Sequence, residues 1–310
     1  MQITRALPDQ ISLVAMLPSL PGTGLSGDAI QAEIAAGRLR PEWTSVAIDK
    51  QGSVLGRAMW WGRDTDRPLV LDVWDAHPES ASRRQLLTAL IEHGHAALAR
   101  LGVAVPLPHA LRVPTAWRDD PTIAADVELK TQVAAAAGLT LVNERWQYQW
   151  NLPQPWPNEP SRLTFESADD DTFLGLFAQA AIGSLDVMTQ RELATVGAHE
   201  LARNELAYYT ACPGERAWWR VAVTIGGEAV GIVIPSATPT NHNVGYLAVL
   251  PDHRGRGYVD ELLGHITRFH ASQGAARITA TTDAVNGPMA SALDRAGYSR
   301  TETRIDLEQP

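Results

Sequence analysis

Residues 244–258 read VGYLAVLPDHRGRGY, an apolar stretch followed by a basic turn with two glycines. The apolar, β-prone residues 244–250 predict a strand, which Pro251 and Asp252 end. After Gly257, apolar residues recur at helical spacing at positions 259, 262, 263, 266 and 269. The sequence therefore predicts a strand, a tight loop and an amphipathic helix in direct succession.

The predicted loop has the composition of an anion site. Gly255 and Gly257 are separated by one residue, a spacing that allows backbone N–H groups to converge on a negative ligand. The free amides of the first helical turn and the positive end of the helix dipole add to this attraction. Arg254 and Arg256 contribute charge that does not titrate away. We expect the loop to bind a pyrophosphate.

Two common phosphate-binding loops do not match this spacing. A P-loop ends in Gly-Lys-Ser/Thr, whereas Tyr258 and Val259 follow Gly257 here. A dinucleotide fingerprint is closer, because Gly255 and Gly257 fit its first two glycines, but its third glycine would be Asp260.

A third kind of loop reads Arg/Gln-x-x-Gly-x-Gly/Ala. Arg254 and Gly257 match its first and fourth positions, and Val259 stands where Gly or Ala is usual. A second motif is an asparagine, Asn286, eleven residues before Gly297-Tyr298. In these two motifs the chain resembles the GNAT superfamily of acetyl-CoA-dependent acyltransferases.

The resemblance implies how acetyl-CoA would be held. It implies a parallel strand pair that splays apart, with the pantetheine arm bonded to the exposed backbone of the first strand. It also implies a strand amide near Val249 as the donor to the oxyanion. The cofactor-binding residues that it implies are Leu247, Ala248, Val249, Arg254, Gly255, Arg256, Gly257, Tyr258, Val259, Asp260 and Asn286.

The first half of the chain repeats the pattern of the second. Residues 52–61 and 226–235 both read as a hairpin turn and a strand, and residues 70–78 parallel the strand before Pro251. The glycine loop has no counterpart in residues 80–84. We predict an α/β (α+β) fold of two tandem GNAT-like domains, each a mixed, mostly antiparallel twisted sheet with a parallel βαβ unit flanked by helices. The domains are a degenerate copy at 1–152, a proline-rich linker at 153–160 and an acetyl-CoA-binding copy at 161–310.

The C-terminal copy gives a coarse element assignment. Residues 162–166 predict a strand, and 171–182 and 189–209 predict helices. Residues 218–224 and 229–235 predict a hairpin. The strand at 244–250, its helix and a strand at 277–282 predict a right-handed βαβ unit.

Composition narrows the class of protein. The 310 residues are 45% hydrophobic and carry a formal net charge of −9, which argues against general nucleic-acid binding. The single cysteine, Cys212, gives neither an intrachain disulfide nor a thiolate metal cluster, and we expect no metal. No apolar run approaches the ~20 residues of a membrane span, so we expect no membrane partner and a cytoplasmic location.

Acyl transfer to an amine needs a base and a proton donor for the departing thiolate. The resemblance implies a tyrosine as general acid seven residues after Asn286, but Leu293 occupies that position. Tyr298 is the nearby alternative, and water is another. The candidate bases are Glu205, His242 and Asp283, which stay open alternatives at this stage.

The predicted activity is acetyl-CoA-dependent N-acyl transfer, with a small-molecule amine as acceptor. A protein terminus or lysine is a second acceptor class. The alternative is a binding module that senses acyl-CoA or free CoA without turnover, which Leu293 and Val259 favour. The expected assembly is a monomer or a homodimer.

Overall fold

The computed structural model describes residues 1–63, 66–78, 80, 82–238 and 241–309. These residues form two compact units, one of Met1–Glu144 with Glu302–Pro310 and one of Arg145–Thr301. The elements in chain order are β1 (Gln2–Arg5), α1 (Ile11–Ala15), α2 (Gly27–Ala35), β2 (Leu39–Ile48), β3 (Val54–Trp61), β4 (Val70–Ala76), α3 (Arg83–Arg100), β5 (His109–Val113), α4 (Pro121–Ala136), β6 (Thr140–Asn151), β7 (Leu163–Glu166), α5 (Asp170–Ala181), α6 (Val187–Val196), α7 (Ala198–Ala211), β8 (Arg220–Thr224), β9 (Ala229–Ala237), β10 (His242–Val249), α8 (Tyr258–Ser272), β11 (Arg277–Asp283), α9 (Gly287–Arg295) and β12 (Ser299–Glu308).

The N-terminal unit is a mixed sheet in the order β1-β2-β3-β4-β5-β12. Its pairs are antiparallel except β4 and β5, which run parallel and pair at Leu71 and His109. Large apolar side chains of β3, β4 and α3, including Trp60, Trp74 and Leu87, form its main core. The predicted glycine-free segment 80–84 runs into α3, which its residues 83 and 84 begin, and its residue 81 is outside the described residues.

A buried ion cluster stands beside β4 in this unit. Asp75 contacts Arg57 at 3.0 Å and Lys130 of α4 at 3.1 Å, and all three side chains are buried. Burial opposes ionisation of the Asp75 carboxyl, but Lys130 and Arg57 lower its pKa to about 2. The region of the N-terminal unit that corresponds to a cofactor gap therefore contains paired charges of the protein itself.

The C-terminal unit is a mixed sheet in the order β6-β11-β10-β9-β8-β7, with a single parallel pair, β10 and β11, among the described strand pairs. Helices α8 and α9 pack with Leu247 and Val249 on one face of the sheet. Helices α5 and α7 pack with Tyr246 and Ala248 on the other. The side chains of successive β10 residues therefore point to opposite faces of the sheet.

The structure differs from the sequence-based expectations at two places. The predicted helix at 189–209 is two helices, because Gly197 adopts a left-handed φ of 77° between α6 and α7. The compact units also depart from the predicted domain boundaries. Residues 145–152 belong to the C-terminal unit and residues 302–310 to the N-terminal unit.

Within the described residues, no helix combines the length and the apolar character that a membrane crossing requires.

Candidate functional site

The site begins where β10 and β11 separate. Their parallel ladder pairs only His242 with Ile278 and Asn243 with Thr279, and among the described residues no further ladder pair joins them. Beyond that point β10 continues to pair with β9, from Tyr246 to Val249. The two strands thus enclose an open gap, in agreement with the splayed pair that the sequence resemblance implied.

A β-bulge at the start of the gap turns β10 away from β11. The register with β9 shifts between Asn243 and Tyr246, and Gly245 adopts a φ of 70°. A Cβ on Gly245 would lie 2.1 Å from the carbonyl oxygen of Ile234, so only glycine fits here. The Asn243 side chain fixes the bulge: its Oδ1 accepts the Gly245 N–H at 2.7 Å, and its Nδ2 donates to Thr279 at 2.9 Å.

The bulge leaves backbone groups of β10 facing the gap. Leu250 donates its N–H to Val230 of β9, and the groups of successive residues alternate sides in an antiparallel ladder. The N–H and C=O groups of Leu247 and Val249 consequently point away from β9, toward β11. An extended ligand in the gap would find a strand edge to bond with.

The loop before α8 lies at the open end of the gap. Gly255 and Gly257 both have a φ of 74°, and Gly257 begins α8 without a side-chain cap. Arg162 donates to the carbonyl oxygens of Arg256 and Gly257 at 3.0 and 3.1 Å. Because the C=O and N–H of a trans peptide point in opposite directions, this arrangement directs the N–H groups of Gly257 and Tyr258 away from Arg162. These amides belong to the loop for which the sequence predicts an anion site.

The guanidinium of Arg254 is committed to the protein. It donates to the carbonyl oxygens of Val249 at 3.1 Å and of Ala180, Ile182 and Gly183 at 2.8 Å each. Arg254 therefore joins the end of β10 to the end of α5 and neutralises that helix terminus. Arg256 is exposed and donates to the carbonyl oxygen of Asp252 at 2.9 Å. Of the two loop arginines, Arg256 is therefore the one less engaged with the protein.

The other predicted cofactor residues have mixed surroundings. Tyr258 and Val259 pack on the α8 side of the sheet, and the Arg162 guanidinium lies 4.7 Å from the Tyr258 ring centroid. The carboxylate of Asp260 accepts from Arg295 at 2.6 Å. Asn286 begins α9, where its Oδ1 accepts the Met289 N–H at 3.2 Å.

A segment that we call the strap, residues 182–187, crosses the gap on the α5–α7 face. Arg254 holds one end through the carbonyl oxygens of Ile182 and Gly183. Asp283, the last residue of β11, accepts the Val187 N–H at 2.7 Å at the other end. The side chains of Leu185 and Met188, on the strap and just beyond it, are exposed by 45% and 39%. The strap therefore lies opposite the α8 loop, over the other side of the gap.

Among the candidate bases, Glu205 has the altered acidity that a base at neutral pH needs. It lies on α7, and burial raises the pKa of its carboxyl to about 7, with further contributions from the negative charges of Glu192 and Asp186. Glu205 and Asp186 also raise the pKa of the Tyr246 phenol, which burial raises most. Glu205 lies one helical turn before Tyr209, whose ring centroid is 5.5 Å from that of Tyr246, the first residue of β10 beyond the bulge.

Asp283 and His242 have structural partners. Asp283 is 1% exposed, holds the strap and contacts Arg145 at 3.4 Å. His242 lies at the closed end of the gap, with its ring centroid 4.9 Å from that of His270.

Tyr298 and Leu293 belong to the core under α8. The Thr267 hydroxyl donates to the Leu263 carbonyl, so the Tyr298 hydroxyl, 2.8 Å away, donates to Thr267. Burial raises the pKa of Tyr298. Its proton is therefore held inside the core, and Leu293, fully buried, supplies no acidic group.

Sequence reasoning missed four contributors to the site: Arg162, Asp186, Asn243 and Tyr246. Arg162 acts on a loop more than ninety residues away, and Asn243 acts through the register of β9. The sequence signal for Tyr246 was its place in the strand before Pro251. Asp186 carried the local signal of a helix cap, since its Oδ1 accepts the Thr189 N–H at 2.8 Å.

The splayed parallel pair and the glycine loop at a helix N-terminus define the class of acyl-CoA-dependent transferases. The sequence model of the Acetyltransferase (GNAT) family matches residues 141–298, just over half of the 310 residues. The chain therefore belongs to the GNAT acetyltransferase family, as the sequence resemblance predicted. No curated protein matches the chain significantly.

Solved structures resemble the whole chain. A GCN5-related N-acetyltransferase from Sphaerobacter thermophilus is 17% identical with a TM-score of 0.60, and the match covers 99% of this chain and 94% of that one. A glucosamine N-acetyltransferase region of a fungal multi-domain β-N-acetylglucosaminidase is 14% identical with a TM-score of 0.55, covering 99% of this chain and 38% of that one. A tandem GNAT protein of the clavulanic acid biosynthesis pathway is 17% identical with a TM-score of 0.47, covering 97% and 87%. The first two of these structures, together with the two compact units and their mixed sheets, confirm the predicted fold class of tandem GNAT-like units.

Proposed function

We propose that the protein transfers the acetyl group of acetyl-CoA to the amine of a small molecule by direct attack on the thioester. The observation that carries this proposal is the opening of the β10–β11 gap beside the uncapped N-terminus of α8. The glycine loop suits a pyrophosphate, and the gap suits an extended arm.

Each part of the site has a defined task under this proposal. The N–H groups of Gly257, Tyr258 and Val259 receive the pyrophosphate, and Leu247 bonds the arm through its backbone. Acetyl-CoA supplies the activated acyl group. The Val249 N–H, which faces the gap, donates to the oxygen that becomes negative during attack.

Glu205 is the base that this geometry favours. Glu205 lies one helical turn before Tyr209, whose ring contacts Tyr246 of β10, and its carboxyl titrates near neutral pH, whereas Asp283 is bound to the strap and His242 lies at the closed end. Since Leu293 and Tyr298 supply no available proton, water protonates the leaving thiolate. The cytoplasmic location and the monomeric or homodimeric state remain predictions from composition and family.

Calorimetric titration of acetyl-CoA tests the cofactor site. Gly257→Glu is expected to weaken binding at least about tenfold, because a carboxylate in the glycine loop repels the pyrophosphate. Gly274→Glu is the matched control. Gly274 lies just beyond the other end of α8 and has a similar φ of 85°, and a Cβ added there would meet no atom within 4 Å. Equal binding by both variants and the wild type would place the cofactor elsewhere, and no binding to the wild type would remove the proposal.

A binding module without turnover is the second candidate. It is favoured by Leu293, which fills the position of the usual acid with a buried apolar side chain. Release of free CoA thiol in the presence of an amine separates the two candidates. Binding of acetyl-CoA without such release from any amine would support a sensor.

A further inference from the structure

The strap face of the gap has the chemistry of a binding site for the acceptor. The Tyr209 ring of α7 meets the Tyr246 ring of β10 there, Glu205 lies one helical turn before Tyr209, and Asp186 lies on the strap. We call Asp186, Glu205, Tyr209 and Tyr246 the acceptor pocket. Tyr246 and Ala248 face this side, whereas Leu247 and Val249 face α8. An acceptor that enters here approaches the gap from the side opposite to the pyrophosphate loop.

Three carboxyl groups, those of Asp186, Glu192 and Glu205, bring negative charge to the pocket, against one guanidinium, that of Arg254, which bonds to the strap and lowers the pKa of Tyr246. Asp186 accepts the Thr189 N–H, and Glu192 accepts the Asn204 side-chain amide at 2.6 Å. Among the described residues, no arginine, lysine or histidine forms an ion pair with Asp186, Glu192 or Glu205. A cation is therefore the ligand charge that this pocket stabilises.

The walls of the pocket are aromatic. The Tyr209 and Tyr246 rings lie edge to face with centroids 5.5 Å apart, and Phe177 packs behind both. Tyr208, 49% exposed, meets the Tyr209 ring at 5.0 Å. Neither the Tyr209 nor the Tyr246 hydroxyl has a hydrogen-bond partner in the part of the chain that the structure describes. These phenols and ring edges are free to contact a ligand.

The rim is apolar. Leu185 and Met188 are among the exposed large hydrophobic side chains, and helix α6 has no buried residue. Exposed apolar side chains beside a charged pocket mark a surface that binds an apolar group.

From these features we propose that the acceptor is a primary amine on an aromatic body that carries no negative charge of its own. This inference rests on the proposed acetyl transfer and specifies its substrate class. The ammonium group lies toward Glu205 and Asp186, and the ring packs on Tyr209 and Tyr246 with Leu185 at its edge. A carboxylate or phosphate on the acceptor would meet the three acidic side chains and be repelled.

The transfer step balances on these groups. Glu205 takes one proton from the ammonium, and the free nitrogen forms a bond to the acetyl carbonyl carbon. The carbon–sulfur bond breaks and its electron pair leaves with the sulfur. A second proton passes from the nitrogen through water to the thiolate, and the third stays on the product amide.

Three amines test the substrate class under saturating acetyl-CoA, with release of CoA thiol as the readout. 2-Phenylethylamine is compared with L-phenylalanine, which adds a carboxylate, and with ethylamine, which lacks the ring. We expect kcat/KM for 2-phenylethylamine to exceed that for each of the others by about tenfold to a hundredfold, the range that one buried ring or one repelled charge gives. D-glucosamine and a lysine peptide are expected to be poor acceptors.

Two variants connect the preference to the pocket. Tyr209→Leu is expected to lower kcat/KM for 2-phenylethylamine about tenfold more than it lowers kcat/KM for ethylamine. Tyr209→Phe keeps the ring and is expected to retain most of the preference. If Tyr209 had a merely structural role, Tyr209→Leu would lower kcat/KM equally for both amines, and that result would contradict the proposal.

The outcomes separate this inference from the proposed function. Faster transfer to D-glucosamine, L-phenylalanine or the peptide than to 2-phenylethylamine would overturn the substrate class and leave acetyl transfer intact. Acetyl-CoA binding without transfer to any of the five acceptors would also overturn it, while the cofactor site would stand. Failure of acetyl-CoA to bind would overturn both.

Discussion

Glu205 is the single residue on which the proposed chemistry depends most. The groups that face it are the carboxyls of Glu192 and Asp186 and the phenols of Tyr209 and Tyr246, and burial raises its pKa to about 7. A base works when it is deprotonated, so kcat/KM is expected to rise with pH and to reach half of its maximum near pH 7. Glu205→Gln is expected to lower kcat about a hundredfold or more and to remove that rise.

Initial rates from pH 5.5 to 9 measure this profile, with Glu200→Gln as the control. Glu200 lies on the same helix and pairs with Arg203 on the surface. An unchanged pH profile in Glu205→Gln would assign the proton transfer to another group. The control is expected to keep the wild-type profile.

The raised pKa of Glu205 also has a cost in stability. In the folded state the pKa of Glu205 is about 7, whereas its ordinary value, which applies to the unfolded state, is 4.5. Between pH 4.5 and 7 the folded state therefore holds the Glu205 proton that the unfolded state has lost. The free energy of unfolding therefore falls as the pH rises through this window. Urea titration of Glu205→Gln is expected to show a gain of roughly 1 to 3 kcal/mol over the wild type at pH 8, and a much smaller gain at pH 4.5.

At the scale of elements, the bulge in β10 determines the opening of the gap. Asn243 holds the bulge through Gly245 and Thr279, at 2.7 and 2.9 Å. Asn243→Ala removes both hydrogen bonds, so acetyl-CoA affinity is expected to fall about tenfold, with a loss of about 1 to 2 kcal/mol in the free energy of unfolding. Calorimetry and denaturant titration measure the two effects.

Thr281→Val is the control for the bulge variant. Thr281 is exposed on β11, and its hydroxyl donates to the side chain of Gln147 on β6, the other neighbour of β11. If Asn243→Ala lowered the stability but kept the full affinity for acetyl-CoA, the gap would form without the hydrogen bonds of Asn243.

The elements show why only part of the site was predictable. The glycine loop and its helix were predictable because the signal is local: Gly255, Gly257 and the apolar spacing of α8 lie within one short stretch. The strap was not, because its two ends are held by Arg254 and by Asp283, the latter ninety-six residues from its partner Val187. The partners of Arg254 were not predictable for the same reason, since its carbonyl partners at the end of α5 lie over seventy residues away.

At the scale of the whole molecule, the last part of β6 and most of β12 each belong to the other compact unit from the one that the sequence repeat predicts. Residues 145–151 of β6 pair with β11 in the C-terminal unit, where Tyr148 and Trp150 are buried. Residues 303–307 of β12 pair with β5 in the N-terminal unit, where Ile305 and Leu307 are buried. The sequence repeat identified the two copies, but periodicity carries no information about which copy receives a strand.

This exchange predicts which fragment carries the cofactor site. A fragment of residues 161–310 follows the sequence repeat but lacks β6, so β11 has an open edge and the core loses Tyr148 and Trp150, each worth about 3 to 5 kcal/mol. Residues 302–308 of that fragment also lack their partner β5. We expect it to aggregate or to melt without cooperativity.

A fragment of residues 145–301 keeps the whole C-terminal unit and is expected to melt cooperatively and to bind acetyl-CoA by calorimetry. Folding and binding by 161–310 but not by 145–301 would show that the predicted boundaries, and not the compact units, delimit the functional domain.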